Sequence, residues 1–165
     1  MISKDELHRM VILREFTDEM LERIIPLAER LIFDEREAVF RQGDSADLFY
    51  LLLKGKVLLE QRLSDKMTVS MDAIKPGYSF GWSSIVRGVL DPYSRYTSDA
   101  ICVEPSEVIA VKAEELHDML EADHTMGFVI NRNLNRVIKQ RLVYRTEQFV
   151  RIIKRHPDME SLITG

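Results

Sequence analysis

Between Phe128 and His156 the chain has no proline and no glycine, and its apolar residues recur at three- and four-residue steps. Met126, Val129, Ile130, Leu134, Val137, Ile138, Leu142, Phe149, Ile152 and Ile153 carry the pattern. That spacing puts them on one face of a continuous helix. Tyr144 and Arg145 interrupt the stripe, and Pro157 is the expected stop. A helix of this length has more apolar face than one small domain covers. A second copy of the chain is therefore the expected cover, through residues 126–153, with Val137 and Ile138 as seam positions.

The chain ahead of this helix has a different texture. From Arg30 to Val111 short apolar runs alternate with turn signals: Asp34-Glu35, Gly43-Asp44, Lys54-Gly55, Ser64-Asp65 and Pro76-Gly77. The runs Leu31–Phe33, Ala38–Arg41, Leu48–Leu53, Val57–Gln61, Thr68–Ile74, Thr97–Val103 and Val108–Val111 read as strands of an antiparallel sandwich or barrel. Thr17 followed by Asp18 and Glu19 reads as a helix start, with Pro26 closing that helix. Ala113–Glu121 reads as a further helix, and Asp123 or Thr125 as the cap of the long one. The expected organisation is a helical segment over 1–29, a ligand-binding β-roll over 30–112, C-terminal helices over 113–156 and a tail over 157–165.

Several function classes lose support. The longest apolar run, Leu48 to Leu53, has six residues, far short of the ~20 that span a bilayer. The N-terminal segment lacks the apolar stretch of a signal peptide. Cys102 is the single cysteine, which suits a reducing compartment and a buried structural thiol. A cytoplasmic protein without a membrane segment is expected. His8, His117, His124 and His156 show no metal-ligand spacing on a strand. No Gly-x-Ser-x-Gly elbow and no Walker loop occurs, and the chain is not expected to be an enzyme. The net charge of −4 is uneven: the segment Met126–His156 carries +7 and the remainder −11. A solvated helix face and an interaction surface both account for that.

Residues 39–57, VFRQGDSADLFYLLLKGKV, carry the most specific pattern. Gly43, Asp44, Ala46, Asp47, Tyr50, Gly55 and Val57 fall where cyclic-nucleotide-binding domains of the catabolite-activator (Crp/Fnr-like) family have their Gly-Asp turn, acidic turn and Gly hairpin. The chain resembles that family over roughly residues 10–155, continuing through Gly77, Phe80 and Gly81. The resemblance implies a mainly β fold with flanking helices: an antiparallel double-stranded β-helix, or jelly roll, followed by a long C-terminal dimerisation helix.

It also implies a ligand cassette, and here the chain departs from the family. The family cradles a cyclic phosphate on backbone N–H groups of a short helix after Phe-Gly. A Glu holds the ribose, and an Arg on the facing segment grips the phosphate. The matching segment here is Phe80-Gly81-Trp82-Ser83-Ser84, with Trp82 at the Glu position. The facing segment is Ser94-Arg95-Tyr96-Thr97-Ser98, with Tyr96 at the Arg position and Arg95 one residue earlier. Strand alternation points neighbouring residues to opposite faces, so a bulge is needed for Arg95 to reach the pocket. Ser83, Ser84, Arg95, Thr97 and Ser98 are the candidate anion ligands, with Trp82 and Tyr96 contacting the rest.

Two functions remain compatible with these residues. One is a regulatory sensor that binds a cyclic nucleotide or another small anion and signals through the long helix. The other is a degenerate, non-binding domain that serves as a dimerising scaffold. DNA binding would need a helix-turn-helix domain of roughly 60 further residues, and nine residues follow His156.

Overall fold

The computed structural model describes residues 1–85 and 94–156. Pro157, the expected helix stop, lies outside them. The N-terminal segment folds as α1 (Lys4–His8), a 3-10 turn (Val11–Leu13), α2 (Asp18–Ile24) and a second 3-10 turn (Ile25–Leu27). Thr17 caps α2 by accepting from the Met20 N–H. Pro26 sits inside the turn that follows rather than in the helix. α1 was not evident from periodicity because five residues show none. Its signal is the capping box: Ser3 Oγ accepts from Glu6 N–H, and Glu6 returns a carboxylate to Ser3 N–H at 2.9 Å.

Among the described residues, eight strands follow: β1 (Ala28–Phe33), β2 (Ala38–Phe40), β3 (Leu48–Lys54), β4 (Val57–Ser64), β5 (Met67–Ile74), β6 (Ser79–Phe80), β7 (Asp99–Cys102) and β8 (Ser106–Lys112). They form two four-stranded antiparallel sheets, ordered β1-β8-β3-β6 and β2-β7-β4-β5. This is the expected roll. β7 is shorter than the run Thr97–Val103 at both ends. Ahead of it, residues 94–96 bond to the Gly43 turn: Ala46 N–H donates to Ser94 O, and Gly43 N–H to Tyr96 O.

The sheets share one core, and the helices make another. Along β3, Tyr50 and Leu52 point into the roll, while Phe49 and Leu51 point to the helical side. β8 does the same, with Val108 and Ala110 inside and Ile109 and Val111 outside. Both faces of these paired strands are buried, so their sequences are continuously apolar rather than alternating. Leu7, Ile12, Leu13, Leu21, Leu116, Met126, Ile130 and Leu134 complete the outer layer. Gly55 turns the β3–β4 hairpin at φ 88°, and a Cβ there would strike Ser106 and the Pro105 carbonyl.

α3 (Ala113–Ala122) and α4 (His124–Lys154) close the chain. Asp123 caps α4, its Oδ1 accepting from Thr125 and Met126 N–H at 3.1 Å each. The first half of α4 is fastened to the domain. Asn133 donates to the Ile12 carbonyl at 3.1 Å, and Glu15 pairs with Arg132 and Arg136. Val137, beside the end of β5, is buried against its own domain, which removes it from the expected seam. The second half presents Leu142, Val143, Tyr144, Phe149 and Ile152 to solvent.

Candidate ligand-binding site

The second sheet, the segment after β6 and α4 enclose a cavity of about 380 Å³. Phe40, Leu59, Gln61 and Met71 line it from the sheet. Gly81, Trp82 and Ser83 line it from the segment after β6, and Tyr96, Thr97 and Ser98 from the segment before β7. Ile138, Arg141, Leu142 and Arg145 close it from α4.

Its floor is an aromatic stack. Phe40 and Tyr96 lie 3.8 Å apart between centroids at 13°, and Tyr50 and Phe80 stack at 5.2 Å. Tyr96 is held by the β3 backbone: its hydroxyl donates to Leu48 O at 2.7 Å and accepts from Leu48 N–H at 3.2 Å. Burial raises the Tyr96 phenol above its ordinary value. Burial likewise raises Tyr50, with the neighbouring Tyr96 adding to it. Both are neutral across physiological pH and act as fixed dipoles and rings.

Trp82 forms the wall beneath α4. Its Nε1–H donates to Ser79 Oγ at 3.0 Å. The Arg141 guanidinium lies over its ring at 4.1 Å from the centroid. Arg141 also donates to the Ser79 carbonyl at 3.2 Å, and its Nε stands 3.1 Å from Asp72 Oδ2 on β5. That oxygen accepts no hydrogen bond, so the contact is a charge pair without hydrogen-bond alignment. Burial lowers the Arg141 pKa, and the Asp72 charge opposes that shift. The group stays cationic, as guanidinium does in proteins.

Of the residues singled out from sequence, Gly81, Trp82, Ser83, Tyr96, Thr97 and Ser98 meet at this cavity. Phe80 is buried in the roll core behind it. Ser84 is buried too, donating to the Gly81 carbonyl at 2.8 Å and facing a different cavity beside α3. Arg95 does not line the cavity. It bridges to Ser45 in antiparallel fashion and donates to the Gly43 carbonyl at 2.7 Å. No bulge turns it inward: Tyr96 takes the inner place, and alternation sends Arg95 out. Among the described residues, the expected short helix is represented by a 3-10 turn, Trp82–Ser84, begun by Gly81 at φ 74°. A Cβ on Gly81 would meet the Tyr50 ring at 3.0 Å.

Sequence reasoning missed the helix wall. Ile138, Arg141, Leu142 and Arg145 are spaced three, four and seven apart, so they share one helical face. The two arginines had been grouped with the basic stretch as a solvated or partner-facing surface. The available signal was the mixture of cationic and aliphatic residues at this spacing. Among the described residues, no group of three His, Cys, Asp or Glu side chains is arranged to hold a metal. Nor is any helix there long and apolar enough to cross a membrane.

A jelly roll whose cavity is closed by the helix that follows it defines a domain of the regulatory-sensor class. The model of the cyclic nucleotide-binding domain family matches residues 30–123, more than half of the chain. A structure from Geobacter metallireducens, assigned to the cyclic nucleotide-binding proteins, is 31% identical with a TM-score of 0.73, over 86% of this chain and 99% of that one. The chain therefore belongs to the cyclic nucleotide-binding domain family. The catabolite activator protein of Thermus thermophilus is 19% identical, covers 86% of this chain and 62% of its own, and has a TM-score of 0.67. That likeness is one of fold. Cyclic nucleotide-gated ion channel 2 of Arabidopsis thaliana is 24% identical over 140 residues, which are 82% of this chain and 19% of the channel. The chain thus spans about a fifth of that relative's length.

Proposed function

We propose that the domain is a non-enzymatic sensor, binding a small anionic ligand in the cavity between roll and α4 and reporting it through α4. The carrying observation is Arg141. It belongs to the long helix, yet it is anchored to Trp82, Ser79 and Asp72 on the roll. A ligand entering the cavity changes the surroundings of this anchor. It biases the helix position to the extent that it binds the two arrangements unequally. Ser83, Thr97 and Ser98 supply neutral hydrogen-bonding groups on the roll side, with Trp82 and Tyr96 contacting the remainder. The described lining residues include no His, Cys or carboxylate, so a nucleophile–base pair is not assembled there.

The signal passes to a second copy. Phe128, Leu142, Phe149 and Ile152 are each more than 60% exposed on α4, which supports a homodimer through residues 126–153. Because Leu142 also lines the cavity, the seam and the ligand site meet at one residue. The buried thiol of Cys102, raised in pKa by burial, suits a cytoplasmic setting. The test is a thermal shift against cAMP, cGMP, other nucleotides and metabolite anions, with hydrogen exchange of α4 on any hit. A ligand at 100 times its Kd stabilises by about 2.7 kcal/mol, roughly 5–10 °C for this size. A hit with altered exchange beyond Val137 is expected. A ligand that binds and leaves α4 unchanged would overturn the signalling route, and a silent panel would favour the scaffold.

A further inference from the structure

Among the described residues, the charges around the cavity are arranged on one side only. Their roll side contributes hydroxyls and rings but no cation, since Arg95 is turned to the Gly43 carbonyl and Tyr96 is bound to the Leu48 backbone. The two described guanidinium groups at the cavity come from α4. Arg141 is occupied by Trp82, Ser79 and Asp72. Arg145, one turn further, makes no hydrogen bond and no ion pair among the described residues, and it is half-buried at the cavity. Two like charges at this spacing repel along a helix, and a bound anion would relieve that. The opposite wall is mostly apolar: Phe40, Leu59 and Met71, with the Gln61 amide as its one polar side chain among the described residues, flanked by Ile138 and Leu142. No carboxylate among the described lining residues is available to accept from a sugar diol.

We propose that the cavity takes a small aromatic carboxylate, with its anionic end on Arg145 and its apolar body against Phe40, Leu59 and Met71. This rests on the ligand-sensing reading above and gives the ligand a polarity: charge toward the helix, hydrocarbon toward the sheet. A carboxylate matches guanidinium in a bidentate, charge-assisted geometry. A cavity of this volume lies in the range of small-molecule pockets, which are mostly apolar with few polar anchors.

Trp82 is the only tryptophan and lines the cavity, so its fluorescence reports occupancy. The probes are 1-naphthoate, its neutral analogue 1-naphthalenemethanol, and cAMP, titrated into the full chain. Saturable binding of 1-naphthoate is expected, with the neutral analogue at least tenfold weaker. Arg145→Gln should weaken 1-naphthoate about tenfold and abolish its advantage over the alcohol, with the ligand-free melting temperature unchanged. Arg95→Ala should leave the affinity within twofold. If cAMP binds and 1-naphthoate does not, the sensor reading stands and the proposed ligand class falls. If neither binds and α4 exchange is unaffected, both fall. If Arg145→Gln alters the association state and not the affinity, Arg145 serves a second copy of the chain and the proposal is overturned.

Discussion

Arg141 is the residue through which the roll and the long helix are joined. Replacing it with Ala removes the stack on Trp82, the hydrogen bond to the Ser79 carbonyl and the charge facing Asp72. A cation–π contact contributes about 0.5–2 kcal/mol, and a hydrogen bond to a charged group about 1.5–3 kcal/mol. Arg141→Ala should therefore lower stability by about 2 kcal/mol in urea unfolding. Glu6 makes a pH-dependent contribution. The Ser3 backbone N–H, then Arg30, hold its carboxyl down to about 2, against an ordinary value of 4.5. A depressed carboxylate stabilises above its unfolded value and loses that contribution as pH falls through the folded one. Glu6→Gln should thus flatten the stability curve between pH 4.5 and 2, read by chemical denaturation across that window. The turn glycines were legible at this scale, because tight hairpins demand positive φ. The direction of Arg95 was legible only as a conditional, since a bulge decides it and a bulge has no one-residue signature.

Helix α4 is two elements in energetic terms. Up to Val137 it is packed, capped by Asp123 and pinned by Asn133. Beyond Ile138 its apolar side chains are mostly exposed. Gly127 tests the packed half. Gly to Ala in a helix interior ordinarily stabilises by about 1 kcal/mol. Here the added Cβ would stand 2.8 Å from the Leu120 carbonyl of α3. Gly127→Ala should instead destabilise by about 1–3 kcal/mol, a reversal of sign measurable by thermal melting. The length of α4 was readable from its uninterrupted 3.6-residue period. The division of its faces was not, because a stripe of apolar residues does not say which of them meet their own domain. Val137 and Ile138 are neighbours in the stripe, yet one is 6% exposed and the other 37%. Val137 faces the end of β5 and the turn to β6, whereas Ile138 stands at the rim of the cavity between roll and α4.

At the scale of the whole molecule the prediction concerns assembly. Leu142→Asp combined with Phe149→Asp should convert a dimer to a monomer in light scattering, with little change in melting behaviour extrapolated to the monomer. A buried unpaired charge is costly, and both side chains are solvent-facing in one protomer. Val137→Asp should unfold the domain instead, because that position belongs to the intramolecular contact. Unchanged light scattering for the double variant would remove this seam as the dimer contact.

Apart from the five-residue α1 and the two-residue β6, which are too short to show a period, the order of helices and strands, the turn positions and the family were determined by sequence, because they depend on local period and on glycine at fixed offsets. So were Trp82 and Tyr96 as departures from the family's cassette. The cavity is different in kind. Its walls come from residues 40, 59–61, 71, 81–83, 96–98 and 138–145, which no local rule brings together. The closing of the roll, with Tyr96 locked to the Leu48 backbone and Arg141 drawn over Trp82, decided which of the described arginines face the cavity. That choice rests on long-range packing, and packing is a property of the folded chain.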